Sequence, residues 1–361
     1  MPETGASEVK TRLRRLDNSH MGCHFPRARV CDLHHLRRNK MKSVLLGTSI
    51  LSLALFTAAC GGETPDTEQA ATPPAAEAPA PAAESEATSA SMTLEQTANG
   101  AWRSESNIAR NEFRNPVETL EFFGVEPTDT VIEIWPGGGW YTEVIAPFLK
   151  GEGTYIAAGP DPAASDYAQR AYDNFSGRFM ADAETFGDVE FVAISRDTGP
   201  LMADGECADV VLTFRNIHNW MSGQYADKMF SDMFDALCPG GTLGVVEHRL
   251  NSADTQAPGA PSGYVHEDYA RQLAEDAGFI FEEASEINAN PLDTKDHPGG
   301  VWNLPPNLRS TDANREEIEN YDASVFEAIG ESDRMTLRFR KPTAEDIAAA
   351  EAAAAEDETE E

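Results

Sequence analysis

The sequence predicts an α/β domain built on a mostly parallel sheet with helices on both faces. Three observations carry this. Short apolar runs of strand type alternate with stretches of helical spacing. A glycine-rich turn, "WPGGGW" (135–140), joins the first such run to a helix. A closing stretch, "DRMTLRFRK", alternates as a half-buried strand does.

The elements follow in order. "RNEFRNP" (110–116) precedes the first strand, and Arg110 and Arg114, four apart, share one helix face. That face is either solvated or laid over a cleft to meet an acidic group. "TVIEIW" (130–135) reads as a buried strand and "YTEVIAPFL" as a helix. "GTYIAA" (153–158) is the second strand, and "DYAQRAYDNFSGRFMADAETF" is helical. "VEFVAI" (189–194), "ADVVLTF" (208–214) and "GTLGVVEH" (241–248) are further strands. "GQYADKMFSDMFDALCPGG" is a helix closed by a Pro-Gly-Gly stop. "HEDYARQLAEDAGF" is a helix and "IFEEASEI" a strand. In such a sheet, ligands bind beyond the carboxyl ends of the strands. The places for chemistry are therefore "WPGGGW", "GPDP", "SRD", "RNIHNW" and "EHR".

Composition bounds the partners. The 361 residues carry a formal net charge of −33, which excludes a nucleic-acid groove. The charge is uneven: residues 1–40 hold nine Lys/Arg against four Asp/Glu, whereas everything after Ala59 holds 18 against 57. Residues 41–59 read as a signal peptide, with Met41-Lys42 before an apolar run from Val44 to Phe56. The ending "FTAAC" resembles a bacterial lipobox, with Cys60 as the lipidated residue and Thr57 as a departure from the usual aliphatic. Such an anchor implies the periplasmic side of a bacterial membrane, with the outer membrane expected. The other reading is an ordinary signal cut near Ala59. Residues 1–40 are then a mis-called extension, and their Cys and His residues match no zinc spacing. No metal site is expected. Residues 60–92 form an Ala/Pro/Glu linker without an aromatic residue, 93–341 the globular domain, and 342–361 an acidic disordered tail.

The stretches "VIEIWPGGGWYTEVIAPFL", "GTYIAAGPDP", "ADVVLTFRNIHNW", "LCPGGTLGVVEHR" and "DRMTLRFRK" together resemble a class I S-adenosylmethionine-dependent methyltransferase. They are similar above all to a bacterial predicted-methyltransferase lipoprotein subgroup marked by Pro-Gly-x-Gly-Trp-Tyr-Thr. The resemblance implies a Rossmann-like seven-stranded sandwich whose last strand is antiparallel and sits beside the fifth. It implies S-adenosyl-L-methionine as cofactor. Glu133, Gly137 and Gly139 match the first motif, with Pro136 and Tyr141 beside them, while Trp135 replaces its first glycine. Gly159 stands where the family has a ribose-binding acid, with Asp161 as the nearest substitute. Ser195 stands near the adenine position.

After the fourth strand, His218 is a candidate base and Asn219 a candidate for orienting the acceptor. The alternative for His218 is a structural cap. Trp220 is expected to wall the sulfonium, and Arg110 and Trp302 to face the substrate. The Pro/Gly-rich segment 296–310 is expected to be a substrate-side lid. Cys207 and Cys238 precede neighbouring strands, and either pair or remain two buried thiols. The first reading is methyl transfer to a small molecule by an exported, lipid-anchored monomer. The alternative is a non-enzymatic small-ligand-binding protein on the same fold, because that cofactor is made in the cytoplasm.

Overall fold

The computed structural model describes residues 91–360. The expected extension, export signal, Cys60 and nearly all of the linker lie outside the described residues.

Four short helices come first: α1 (Leu94–Ala98), α2 (Glu105–Ile108), α3 (Asn111–Arg114) and α4 (Pro116–Phe122). A capping box between Thr93 and Gln96 starts α1, and Pro116 starts α4 where a missing N–H is harmless. Then come β1 (Thr130–Ile134), α5 (Thr142–Leu149), β2 (Thr154–Gly159), α6 (Asp166–Phe175), α7 (Ala183–Phe186) and β3 (Val189–Ala193). β4 (Ala208–Phe214), α8 (Ile217–Gly223), α9 (Ala226–Ala236) and β5 (Leu237–His248) follow. α10 (Glu267–Asp276), β6 (Ile280–Ser285), α11 (Ala323–Glu327), β7 (Arg334–Arg340) and α12 (Ala344–Glu360) complete the chain.

The seven strands form one sheet in the order β3-β2-β1-β4-β5-β7-β6. β1 to β5 pair in parallel, and β7 lies antiparallel between β5 and β6. This is the class I methyltransferase topology that the resemblance implied. The core divides by strand alternation. Ile132 and Ile134 face one apolar cluster with α8, α9 and α10, while Val131 faces the other with α1, α4 and α5. Charged side chains past the strand ends therefore face a cleft between two packed layers.

Three elements differ from expectation. The helical stretch after β2 is broken by a π turn at Ser176–Met180, followed by a new start capped by Asp182. The turn packs Phe179 where a Cβ on Gly139 would fall, 2.3 Å from the ring. β5 begins at Leu237, four residues before the expected strand, and Pro239-Gly240-Gly241 lies within it. Proline disfavours helix at the residue before it, and Gly240 takes a φ of 87° there. The tail forms the helix α12 rather than an irregular segment.

Cys207 and Cys238 form a disulfide, with Cα atoms 4.9 Å apart, at the start of β4 and β5 and opposite the cleft. The crosslink spans 31 residues, which in the chain-entropy account corresponds to about 3–4 kcal/mol. Reduction should therefore lower the denaturant midpoint measurably. An unchanged midpoint with reductant present would contradict this.

Candidate functional site

A cavity of about 450 Å³ opens past the ends of β1, β4 and β5. Its walls combine the glycine turn, α3, the residues after β4 and the segment carrying Trp302. Of the expected residues it brings together Glu133, Pro136, Gly137, Tyr141, His218, Arg110 and Trp302.

The turn after β1 keeps a left-handed backbone at Trp135, Gly137 and Gly139, with φ of 50°, 59° and 78°. A Cβ at Gly137 or Gly138 would meet nothing, so both leave open space over the cavity. Gly139 is needed for Phe179, not for a ligand. The three residues that follow are structural. The ring of Trp140 lies 4.7 Å from the guanidinium carbons of both Arg103 and Arg114. Tyr141 stacks on Phe214 at 3.6 Å and donates to the Arg114 carbonyl. Thr142 donates to Glu133 at 3.0 Å.

Glu133 is buried at the end of β1, and its Oε2 also accepts from Tyr155 at 2.5 Å. Burial pushes its pKa up to about 7, against the pull of these hydrogen bonds and of Arg215. Glu331 has the opposite shift. Burial alone would raise it, but Arg334, Arg114 and Arg110 outweigh burial and hold it well below the usual carboxylate range. Arg114 donates to it at 2.9 Å and Arg110 at 2.6 Å, and Arg334 pairs with it from β7. The Arg110–Arg114 face is therefore not a solvated helix; it meets this acid, and Arg114 is buried.

His218 lies in the first turn of α8, and its Nδ1 is 3.1 Å from Glu247 Oε1. Glu247 Oε2 accepts from the Ile217 amide at 2.6 Å, so this carboxylate caps α8 as well. His248 is held well below its ordinary pKa by burial, by His218 and by Arg334, and is neutral at pH 7. Donor atoms of His218, Glu247 and His248 lie within 4.8 Å of one another. Both oxygens of Glu247 are already occupied by His218 and by backbone amides, and Arg334, Arg215 and Arg114 oppose a cation at His248.

Several expectations are corrected. Asn219 is exposed and outside the cavity walls; Asn216 lines it, but its amide is spent on the Ile134 carbonyl at 2.8 Å. Trp220 is fully buried beneath the floor, 6.2 Å from Trp135 ring to ring. Asp161 caps the next turn through the Ala163 amide. Ser195 bonds Thr198 at 3.0 Å. Arg249 turns away to Asp333 and Glu286. The segment 296–310 is a fixed wall, because buried Asn303 ties Gly299, Arg309 and Thr311 together. Arg178, Glu143 and Glu331 were not anticipated, since nothing local in the sequence marks them.

The fit of S-adenosylmethionine can be tested on these positions. Its amino acid end matches Glu133 and the open glycines. Its nucleoside end does not fit. A Cβ on Gly159 would lie 2.7 Å from the Phe191 ring, so the position of the ribose-binding acid is taken up by that ring. The Trp135 indole donates to the Ile194 carbonyl at 3.4 Å and packs on Trp220 and Tyr225. It closes the cavity toward β2 and β3, and none of residues 159–161 or 194–195 lines it.

No protein-family model and no curated protein matches the chain. Solved structures do match. A SAM-dependent methyltransferase from Aquifex aeolicus is 18% identical, covering 55% of this chain and 94% of its own, at a TM-score of 0.39. The N-methyltransferase NodS from Bradyrhizobium japonicum WM9, in complex with S-adenosyl-L-homocysteine, is 13% identical over 69% and 96%, at 0.39. The [4+2]-cyclase SpnF is 14% identical over 64% and 82%, at 0.45. At these values the likeness concerns the fold and leaves activity open.

The two shifted carboxylates predict opposite pH responses. Glu331, depressed, adds stability above its unfolded pKa of about 4.3, and that stability is lost as pH falls through its folded value. Glu133, raised, costs stability progressively as pH rises from about 4.3 to about 7. Glu331→Gln should therefore destabilise by about 3–5 kcal/mol at pH 7 and flatten the acid limb. Glu133→Gln should remove part of the loss between about pH 4.3 and about 7. Urea titrations across pH check both; parallel pH profiles for wild type and variants would contradict them.

Proposed function

We propose that the chain is a small-ligand-binding protein on a methyltransferase fold, and that it works without S-adenosylmethionine. One observation supports this: the indole of Trp135, which stands in place of the first glycine of the motif, reaches the Ile194 carbonyl past the end of β3, the side on which the resemblance would put the cofactor's nucleoside. Its left-handed backbone is unfavourable for a non-glycine residue by about 1–2 kcal/mol. Aromatic packing on Trp220 and Tyr225 offsets that cost. The arginines around the cavity also oppose a sulfonium.

Methyl transfer is the second reading. It is favoured by the three left-handed positions at 135, 137 and 139 beside Glu133, the acid of the first motif. Calorimetric titration of the purified chain with S-adenosylmethionine and with its demethylated product decides between them. No binding at millimolar ligand is expected. A saturable isotherm with either compound would return the methyltransferase reading.

The Cys207–Cys238 disulfide supports export to an oxidising compartment, as the lipobox-like sequence at Cys60 implies. Palmitate should label the chain in bacteria, and Cys60→Ser should abolish the label. Unchanged labelling in that variant would contradict the anchor.

A further inference from the structure

We infer that the cleft recognises its small molecule through an oxyanion, a carboxylate or a phosphate, and that the Arg215 guanidinium anchors it. The inference rests on the cleft being a ligand site. It names the chemistry that site selects.

The charge balance comes first. The chain is acidic overall, at −33, yet four arginines line the cavity against one carboxylate, Glu133. Three of the four have partners. Arg110 and Arg114 share Glu331, and Arg178 pairs with Glu143. Arg215 also lines the cavity, and its guanidinium has no hydrogen-bond or ion-pair partner among the described residues. Glu331 attracts it only from a distance, because the hydrogen bonds of that carboxylate go to Arg110, Arg114 and Arg334. A half-buried guanidinium set beside other guanidiniums, with its donors open to the cavity, is a ready partner for an anion.

The backbone points the same way. Arg215 follows the last residue of β4 with a φ of 63°, in the left-handed region that a non-glycine residue adopts at a cost. Its amide donates to the Val246 carbonyl at 2.7 Å, which locks that conformation to β5. The guanidinium is thereby held at the mouth of the cleft. The planar fork of arginine matches two oxygens of a carboxylate or phosphate, which a lysine cannot do. Neutral His248 and the Trp302 ring complete the wall.

The test is calorimetry of the full chain with orthophosphate and, separately, succinate. At least one probe should bind saturably at millimolar concentration or below, and more weakly as salt rises. Which probe binds tells phosphate from carboxylate. Arg215→Gln should weaken binding about tenfold or more, and Arg215→Lys by less. Thermal melts of both variants establish that they are folded. Failure of both probes to bind, or binding to folded Arg215→Gln equal to wild type, would overturn the inference. Binding of S-adenosylhomocysteine together with Arg215-dependent binding of a probe would sink the cofactor-free reading and leave this one standing.

Discussion

A single buried carboxylate, Glu331, holds more positive charge than it can neutralise. It sits between Arg110, the residue before α3, Arg114 of α3 and Arg334 of β7, and these two parts of the chain are more than 200 residues apart in sequence. A buried carboxylate amid three guanidiniums is tolerable only when its oxygens are fully bonded, and here three arginines donate to them. The arrangement fixes the helical cap against the end of the sheet. It also commits to Arg110, Arg114 and Arg334 the hydrogen bonds of a carboxylate that attracts Arg215 only from a distance. The positive character of the cleft is therefore a consequence of how its walls are joined.

The glycine turn joins a strained backbone to a packed side chain. Its backbone is left-handed at three positions, one of them occupied by tryptophan. The indole turns into the space beside Ile194 and rests on Trp220 and Tyr225. Phe191 then covers Gly159. Together these side chains pack against the ends of β2 and β3. The half near β4 and β5 stays open, with His218 held by Glu247 on one side and Trp302 on the other. The sheet thus follows the methyltransferase topology, while the loops past β2 and β3 carry packing of their own.

The sheet was legible in the sequence because period-two burial leaves a local mark. Val131 and Ile132 face opposite cores, and every strand was found within a few residues except the start of β5. The first-motif residues were legible for the same reason, being contiguous around one turn. The site's charge was not. Arg215 looks like any loop arginine until Glu331, 116 residues later, is seen to be engaged elsewhere. Trp220 and Asn219 were misplaced by one helical step: Trp220 turns inward to the core and Asn219 outward to solvent. Asp161 and Ser195 were assigned by position in a motif, whereas their side chains serve local turns.

The central claim is that Trp135 fills the nucleoside half of the cleft and leaves an oxyanion site at Arg215. A crystal structure of the chain grown with millimolar S-adenosylhomocysteine and succinate tests it most directly. The account predicts the indole in place beside the Ile194 carbonyl and a carboxylate on Arg215. An adenosine lodged past the ends of β2 and β3, with Trp135 swung aside, would contradict it.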